Sequence, residues 1–372
     1  MANQSNRHYK ERLREIQALK GYSSGESVKK AASRSKARIS EISKLNSNEN
    51  LFVPKEKLIS LLIDVIEEID PRMYPQEEEI NVRMALSRYL ATSPESILLG
   101  NGSDPLISFI TQLFSEKGDS ILSISPTFGI YRVLAELRGT KYFGISLNDD
   151  FSLDIERILD AVAPKTRILF LCSPNNPTAN QFKIQDIKAL IEGFQGLIVI
   201  DEAYAEFADY STIPLIREYE NLVVIRTFSK AFGLAGLRFG YAISNPDFVV
   251  TLSKKAQLPF SVSTLVLELV PKLLRNIGVF EEALQSLKKE RSKLIKRLNN
   301  INGIKAFDSK TNFVLFNTEK KSDEISRSLL DQGLLIRKLG KILKMNGCLR
   351  TTVGPPEINN RLLYALDKIF SE

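Results

Sequence analysis

Between residues 97 and 244 the chain alternates short apolar runs with polar stretches of helical length. The runs are SILLG, DSILSISP, KYFGISL, RILFLCSP, GLIVIDEAY, NLVVIRTFSK and RFGYAIS. Strands that are apolar almost without interruption are buried on both faces, so the pattern predicts an α/β unit with a mostly parallel sheet covered by helices. Sheets of this kind bind ligands beyond the carboxyl ends of their strands. The unusual polar residues stand there: Gly100 to Asp104, Ser125 to Phe128, Ser173 to Thr178, Asp201 to Tyr204 and Thr227 to Lys230.

After Pro259 the rhythm changes. Helical LVLELVPKLLRN and EEALQSLKKERSKLIKRLNN are followed by strand-like NFVLFN, LLIRKLG and CLRTTVG, which predicts a smaller α+β domain. The expected organisation is an N-terminal arm and joining segment over 1–45, a large domain over 46–260 and a small domain over 261–372. A chain of 372 residues is long enough for two cores. No repeat or low-complexity linker interrupts it.

Composition changes this picture in a few places. No run approaches the roughly 18 apolar residues of a membrane helix, and MANQSNRHYKERLREIQ has no apolar signal core, so a cytoplasmic protein without membrane contact is expected. The formal charge of +7 is local. Residues 1–44 carry 11 Lys/Arg against 4 Asp/Glu, and the remaining residues carry 40 of each. The interleaved Glu11 and Glu15 fit a solvated amphipathic helix better than a nucleic-acid arm, so no nucleic-acid partner is expected. The single histidine, His8, lies in that arm and argues against His-dependent hydrolysis and His-ligated metals; no metal is expected. Cys172 and Cys348 read as small buried hydrophobes.

The candidate chemistry begins with Lys230 in TFSKAFGLAGLRFGY. A lysine is nucleophilic only when neutral, and one set at a strand end among apolar residues is a candidate for imine chemistry. The plain alternative is a solvated surface lysine. Thr227, Ser229 and Arg238 nearby suit a phosphate. Asp201 closes a fully apolar strand, where a carboxylate needs a partner; a pyridinium nitrogen would be one, and capping a helix is the other reading. Tyr204, three residues on, can donate to an oxygen. In SPNNPTAN the prolines fix a turn that aims the Asn176 amide, and in GNGSDPL the glycines with Ser103 and Asp104 open a helix whose N–H groups can cradle a phosphate. Phe128 in SPTFGIY either stacks on a planar ring or is core.

The order of these elements resembles the fold-type I aminotransferases dependent on pyridoxal 5'-phosphate, and among them is most similar to the histidinol-phosphate aminotransferase family. The likeness runs from about Tyr22 to the C-terminus through GYSSGES, KLNSNEN, RMYP, GNGSD, SPTF, SPNNPT, DEAY, TFSKAFGLAGLRFGY, TNFVLF, LLIRKLG and CLRTTVG. The resemblance implies that Lys230 carries the cofactor as a Schiff base, that Asp201 pairs with the ring nitrogen, and that Asn176 and Tyr204 hold the phenolic oxygen. It implies that Phe128 stacks on the ring and that Ser103, Asp104, Ser229 and Arg238 line the phosphate site. A homodimer is implied, with Tyr74 reaching the neighbouring site. Tyr22, Arg337 and Arg350 are implied to bind the amino substrate, the arginines at its acidic end.

The implied reaction transfers an amino group from histidinol phosphate to 2-oxoglutarate. Rival readings are an aromatic amino-acid aminotransferase, a threonine-phosphate decarboxylase-like enzyme, and a non-catalytic binding protein on the same fold. Pro105, Ala179 and Phe128 depart from the family pattern, and they bear on the substrate rather than on the cofactor.

Overall fold

The computed structural model describes residues 7–371. Seven strands form the main sheet: β2 (Ile97–Gly100), β3 (Ser120–Ser125), β4 (Lys141–Ser146), β5 (Thr166–Cys172), β6 (Leu197–Asp201), β7 (Leu222–Thr227) and β8 (Gly240–Ile243), in the spatial order β2-β8-β7-β6-β5-β3-β4. All run parallel except β8, which pairs antiparallel with both β2 and β7. The apolar runs have the cause proposed from their pattern. In β6, Ile198 and Ile200 face one core cluster while Leu197 and Val199 face another, so each face of the sheet is sealed by its own layer.

A second, antiparallel sheet takes the order β12-β13-β10-β9, built from β9 (Ile304–Ala306), β10 (Phe313–Thr318), β12 (Arg337–Ile342) and β13 (Met345–Thr352). Helices Ile277–Leu298, Ser322–Asp331 and Pro356–Ser371 accompany it. A short parallel pair, β1 (Ser43–Lys44) with β11 (Leu334–Leu335), ties the N-terminal segment to this unit. The helix Arg7–Ala18 has no buried residue and carries the ion pairs Arg7–Glu11 and Arg12–Glu15 on its surface. Among the described residues no helix is long and apolar enough to cross a membrane.

Register brings the strand ends to one edge. Cys172 pairs with Asp201, Asp201 with Ile225, and Thr227 with Gly240. Gly240 is there for space: a β-carbon on it would meet the backbone of Gly102 and Ser103 at 2.6 Å, which would push the helix Ser103–Phe114 off that edge.

Below the edge lies a buried ion cluster. The Arg226 guanidinium donates to Glu202 (2.9 Å), Glu206 (2.9 Å) and the Ser211 hydroxyl (2.8 Å), while Glu202 also accepts from the Thr212 hydroxyl at 2.7 Å. Removing the cation strands two carboxylates in an apolar layer. Arg226→Ala is therefore expected to destabilise the protein by about 3–5 kcal/mol, which in a thermal melt followed by circular dichroism appears as a Tm lower by on the order of 10 °C.

Candidate active site

A cavity of about 640 Å³ opens at the carboxyl edge of the main sheet and reaches the small sheet. Of the residues singled out from the sequence, Tyr22, Ser103, Asp104, Phe128, Asn176, Asp201, Tyr204, Ser229, Lys230, Arg238, Arg337 and Arg350 line it. Tyr74 does not. It stands exposed on the surface, stacked on Phe260 with ring centroids 4.6 Å apart.

Lys230 lies past the end of β7 on a tight turn in which the Ser229 N–H donates to Thr227 Oγ1 and the Leu234 N–H to the Phe228 carbonyl. Its Nζ donates to the Ser47 carbonyl at 3.2 Å and has no carboxylate partner among the described residues. Burial, and after it the Arg350 guanidinium, push the ammonium down to about 8, against the opposing pull of Glu49 and Asp104. At pH 7 about one molecule in ten then carries the free amine, compared with about one in three thousand for an ordinary lysine.

Asp201 caps no helix. Its Oδ1 accepts the N–H of Ala203, two residues on, and its Oδ2 accepts the Tyr131 hydroxyl at 2.7 Å. Burial raises this carboxyl to about 6, and those two donors restrain the rise. Tyr131 is itself fully buried, stacked on Phe170 (4.8 Å, 3°) and edge-on to Phe128 (5.7 Å). Phe128 in turn meets the edge of Tyr22 at 5.4 Å.

Beside the lysine the chain forms a cradle suited to an anion. Gly102, at φ 100°, starts the helix Ser103–Phe114, and a β-carbon on it would meet Arg238 Nη2 at 2.7 Å. Arg238 donates to the Ser229 hydroxyl at 3.3 Å and lies 3.6 Å from Asp104. Helix N–H groups, a hydroxyl and a guanidinium thus converge on one place.

On the opposite strands Arg337 of β12 and Arg350 of β13 are direct cross-strand partners. Neither has a carboxylate partner among the described residues. Arg337 donates to the Ser23 carbonyl at 2.7 Å, and Arg350 donates to the Asn176 side-chain oxygen and, at 3.1 Å, to the Asn46 carbonyl, while lying 5.0 Å over the Phe313 ring. Two neighbouring cations without counter-charges make a place for a doubly charged anion.

Two features of the site leave little mark on the sequence. Tyr131 is one; its only signal is a tyrosine three residues after Phe128 at the start of a helix. The other is the loop 46–50. Asn46 and Ser47 offer carbonyls to Arg350 and Lys230, the Asn48 side chain bonds Tyr204 at 2.9 Å, and Asn50 donates to the Ala231 carbonyl at 2.7 Å. Three asparagines in NSNEN mark a loop and do not say what it touches.

The family profile described as aminotransferase class I and II matches residues 40–366. The chain belongs to the class I and II aminotransferases. Within that family it is 37% identical over 329 residues, 88% of this chain and 93% of the relative, to a histidinol-phosphate aminotransferase of Caldanaerobacter subterraneus subsp. tengcongensis. It is 35% identical over 362 residues, 96% of each chain, to one of Methanosarcina mazei. Among solved structures, the histidinol-phosphate aminotransferase of Sinorhizobium meliloti in complex with pyridoxal-5'-phosphate superposes with a TM-score of 0.84 at 25% identity, over 96% of both chains. The α/β architecture with its smaller α+β unit is thus that of the aminotransferases.

Tyr131→Phe removes a donor that favours the charged form of Asp201, so the carboxyl is expected to titrate clearly above about 6 in the variant. A pH series of the protonated-carboxyl infrared band, with Asp201→Asn as blank, checks this. For Lys230, reductive methylation of the cofactor-free protein followed by peptide mass spectrometry is expected to rise with a midpoint near pH 8; a midpoint near that of the surface lysines would contradict the shift.

Proposed function

We propose that this aminotransferase uses pyridoxal 5'-phosphate held by Lys230 to move the amino group of histidinol phosphate to 2-oxoglutarate, giving imidazole acetol phosphate and glutamate, a step of histidine biosynthesis. The observation that carries this reading is the joint presence, in one cavity, of a lysine and two adjacent arginines, none of which has a carboxylate partner among the described residues. The residues also fit the cofactor. The helix start at Gly102, with Ser103, Asp104, Ser229 and Arg238, suits its phosphate; Asp201 suits its ring nitrogen; Asn176 and Tyr204 suit its phenolic oxygen, and Phe128 its ring face.

When bound, pyridoxal phosphate supplies an electrophilic carbonyl carbon and a ring that withdraws electrons from the substrate's α-carbon. The chain's own residues supply the rest. Lys230 would hold the cofactor, and its Nζ, as a base near neutrality, would carry the proton that leaves the substrate's α-carbon. Asp201, whose ionised form Tyr131 and the Ala203 N–H favour, would hold a proton on the ring nitrogen. Arg337 and Arg350 hold the phosphate of the amino donor and, in the second half-reaction, a carboxylate of 2-oxoglutarate. No histidine is required, in keeping with a chain whose one histidine is His8.

The resemblance to dimeric aminotransferases supports a homodimer in which Tyr74 reaches the partner's cofactor phosphate. Two features favour that reading: Tyr74 is exposed, and Ile59, Ile63, Ile66, Met73 and Leu258 are also exposed in its part of the sequence or on its stacking partner's segment.

Lys230→Ala is expected to abolish turnover. Arg337→Leu is expected to raise KM for histidinol phosphate at least about tenfold, the scale of one lost charge-assisted hydrogen bond of about 1.5–3 kcal/mol, with a smaller effect on a donor lacking phosphate. Assays with histidinol phosphate, phenylalanine, tyrosine and threonine phosphate decide the substrate. Equal rates with phenylalanine and histidinol phosphate would defeat the assignment, and trapped CO2 from threonine phosphate would replace it with a decarboxylase.

A further inference from the structure

The loop 46–50 holds one contact that the reading above does not use. Asn48 is buried and sits at φ 57°, a conformation asparagine tolerates better than most residues. Its backbone is fixed on both sides: its N–H donates to Thr352 Oγ1 at 3.0 Å, and its carbonyl accepts the Asn312 side chain at 2.9 Å. From that mount the side-chain Nδ2 donates to the Tyr204 hydroxyl oxygen at 2.9 Å, while Oδ1 has no partner among the described residues.

We propose that Asn48 is a positioning residue that fixes the direction of the Tyr204 hydroxyl, so that Tyr204 faces the cavity only as a donor. A phenol has one proton to give and two lone pairs. One lone pair is occupied by the Asn48 amide, and among the described residues the hydroxyl proton has no acceptor. It therefore points to whatever oxygen enters the cavity. Were the amide turned over, Oδ1 would take that proton and Tyr204 would present only lone pairs to an incoming phenolate, which it would repel. Asn48 and Tyr204 both line the cavity, and the phenol is buried, so water does not rescue the wrong orientation.

The proposal rests on pyridoxal phosphate occupying this cavity, with its phenolic oxygen toward Tyr204. A donor on that oxygen draws charge away from it and weakens its hold on the neighbouring imine proton, so losing the donor raises the pH at which the bound cofactor's absorbance changes. Asn48→Asp keeps the backbone preference and the shape, but offers only acceptors. In the cofactor-loaded protein it is expected to raise the spectral midpoint by about one pH unit and to weaken pyridoxal phosphate binding in equilibrium dialysis. Asn48→Leu, which frees the hydroxyl without capturing its proton, is expected to raise the midpoint less.

The deciding comparison is the same pair of substitutions in a Tyr204→Phe background. There the Asn48→Leu shift is expected to vanish and most of the Asn48→Asp shift with it. Equal shifts with and without the phenol would mean that the substitutions act through new charge or loosened packing, and would overturn the proposal. So would an unshifted midpoint in folded Asn48→Asp. If Asn48→Asp does not fold, Asn48→Leu carries the same comparison. A wild-type protein that acquires no cofactor spectrum would instead defeat the function proposed above, and this inference with it.

Discussion

Asp201 carries a potential charge at the end of a strand whose four preceding residues are all buried and apolar, and much of the surrounding architecture answers that constraint. A carboxylate placed there has to be hydrogen-bonded, paired or protonated. The Tyr131 hydroxyl and the Ala203 N–H satisfy part of its acceptor capacity and leave it titrating near 6, so a single cationic partner arriving from the cavity tips it fully to the ionised form. The stack of Tyr131 on Phe170 holds the donor in place, and the same Tyr131 supports Phe128 from behind.

The other half of the site is tuned in the opposite direction. Lys230 has no carboxylate partner among the described residues and is given a carbonyl and a nearby guanidinium, which makes its free amine accessible near neutral pH. Arg226, by contrast, is saturated with acceptors a few residues away. The chain therefore keeps a buried and a half-buried cationic side chain, on one strand and the turn after it, in opposite electrostatic states. One is structural and always charged. The other is chemical and easily discharged.

Much of this was legible in the sequence because it depends on local patterning. Fully buried strands give apolar runs, and the polar residues closing those runs fall on one edge because parallel register puts them there; hence Asp201, Tyr204, Asn176 and Lys230 can be read as neighbours. The pairing of Arg337 with Arg350 follows from two adjacent strand-like segments. What escaped is what depends on chain crossings. Nothing local to NSNEN says that its side chains meet residues more than 150 positions away, and nothing in SPTFGIYRV distinguishes a tyrosine supporting Asp201 from one filling core.

The position of that crossing segment has a consequence for how the protein is made. Leu45 and Asn48 leave the ribosome well before the groups that pin them, Leu335, Asn312 and Thr352, which lie more than 250 positions later in the sequence. The large sheet, complete by Ile243, can close while this strip still hangs loose. A nascent chain can thus acquire its lysine-bearing edge before the floor that steadies it, and the finished pocket requires the strand that carries Thr352.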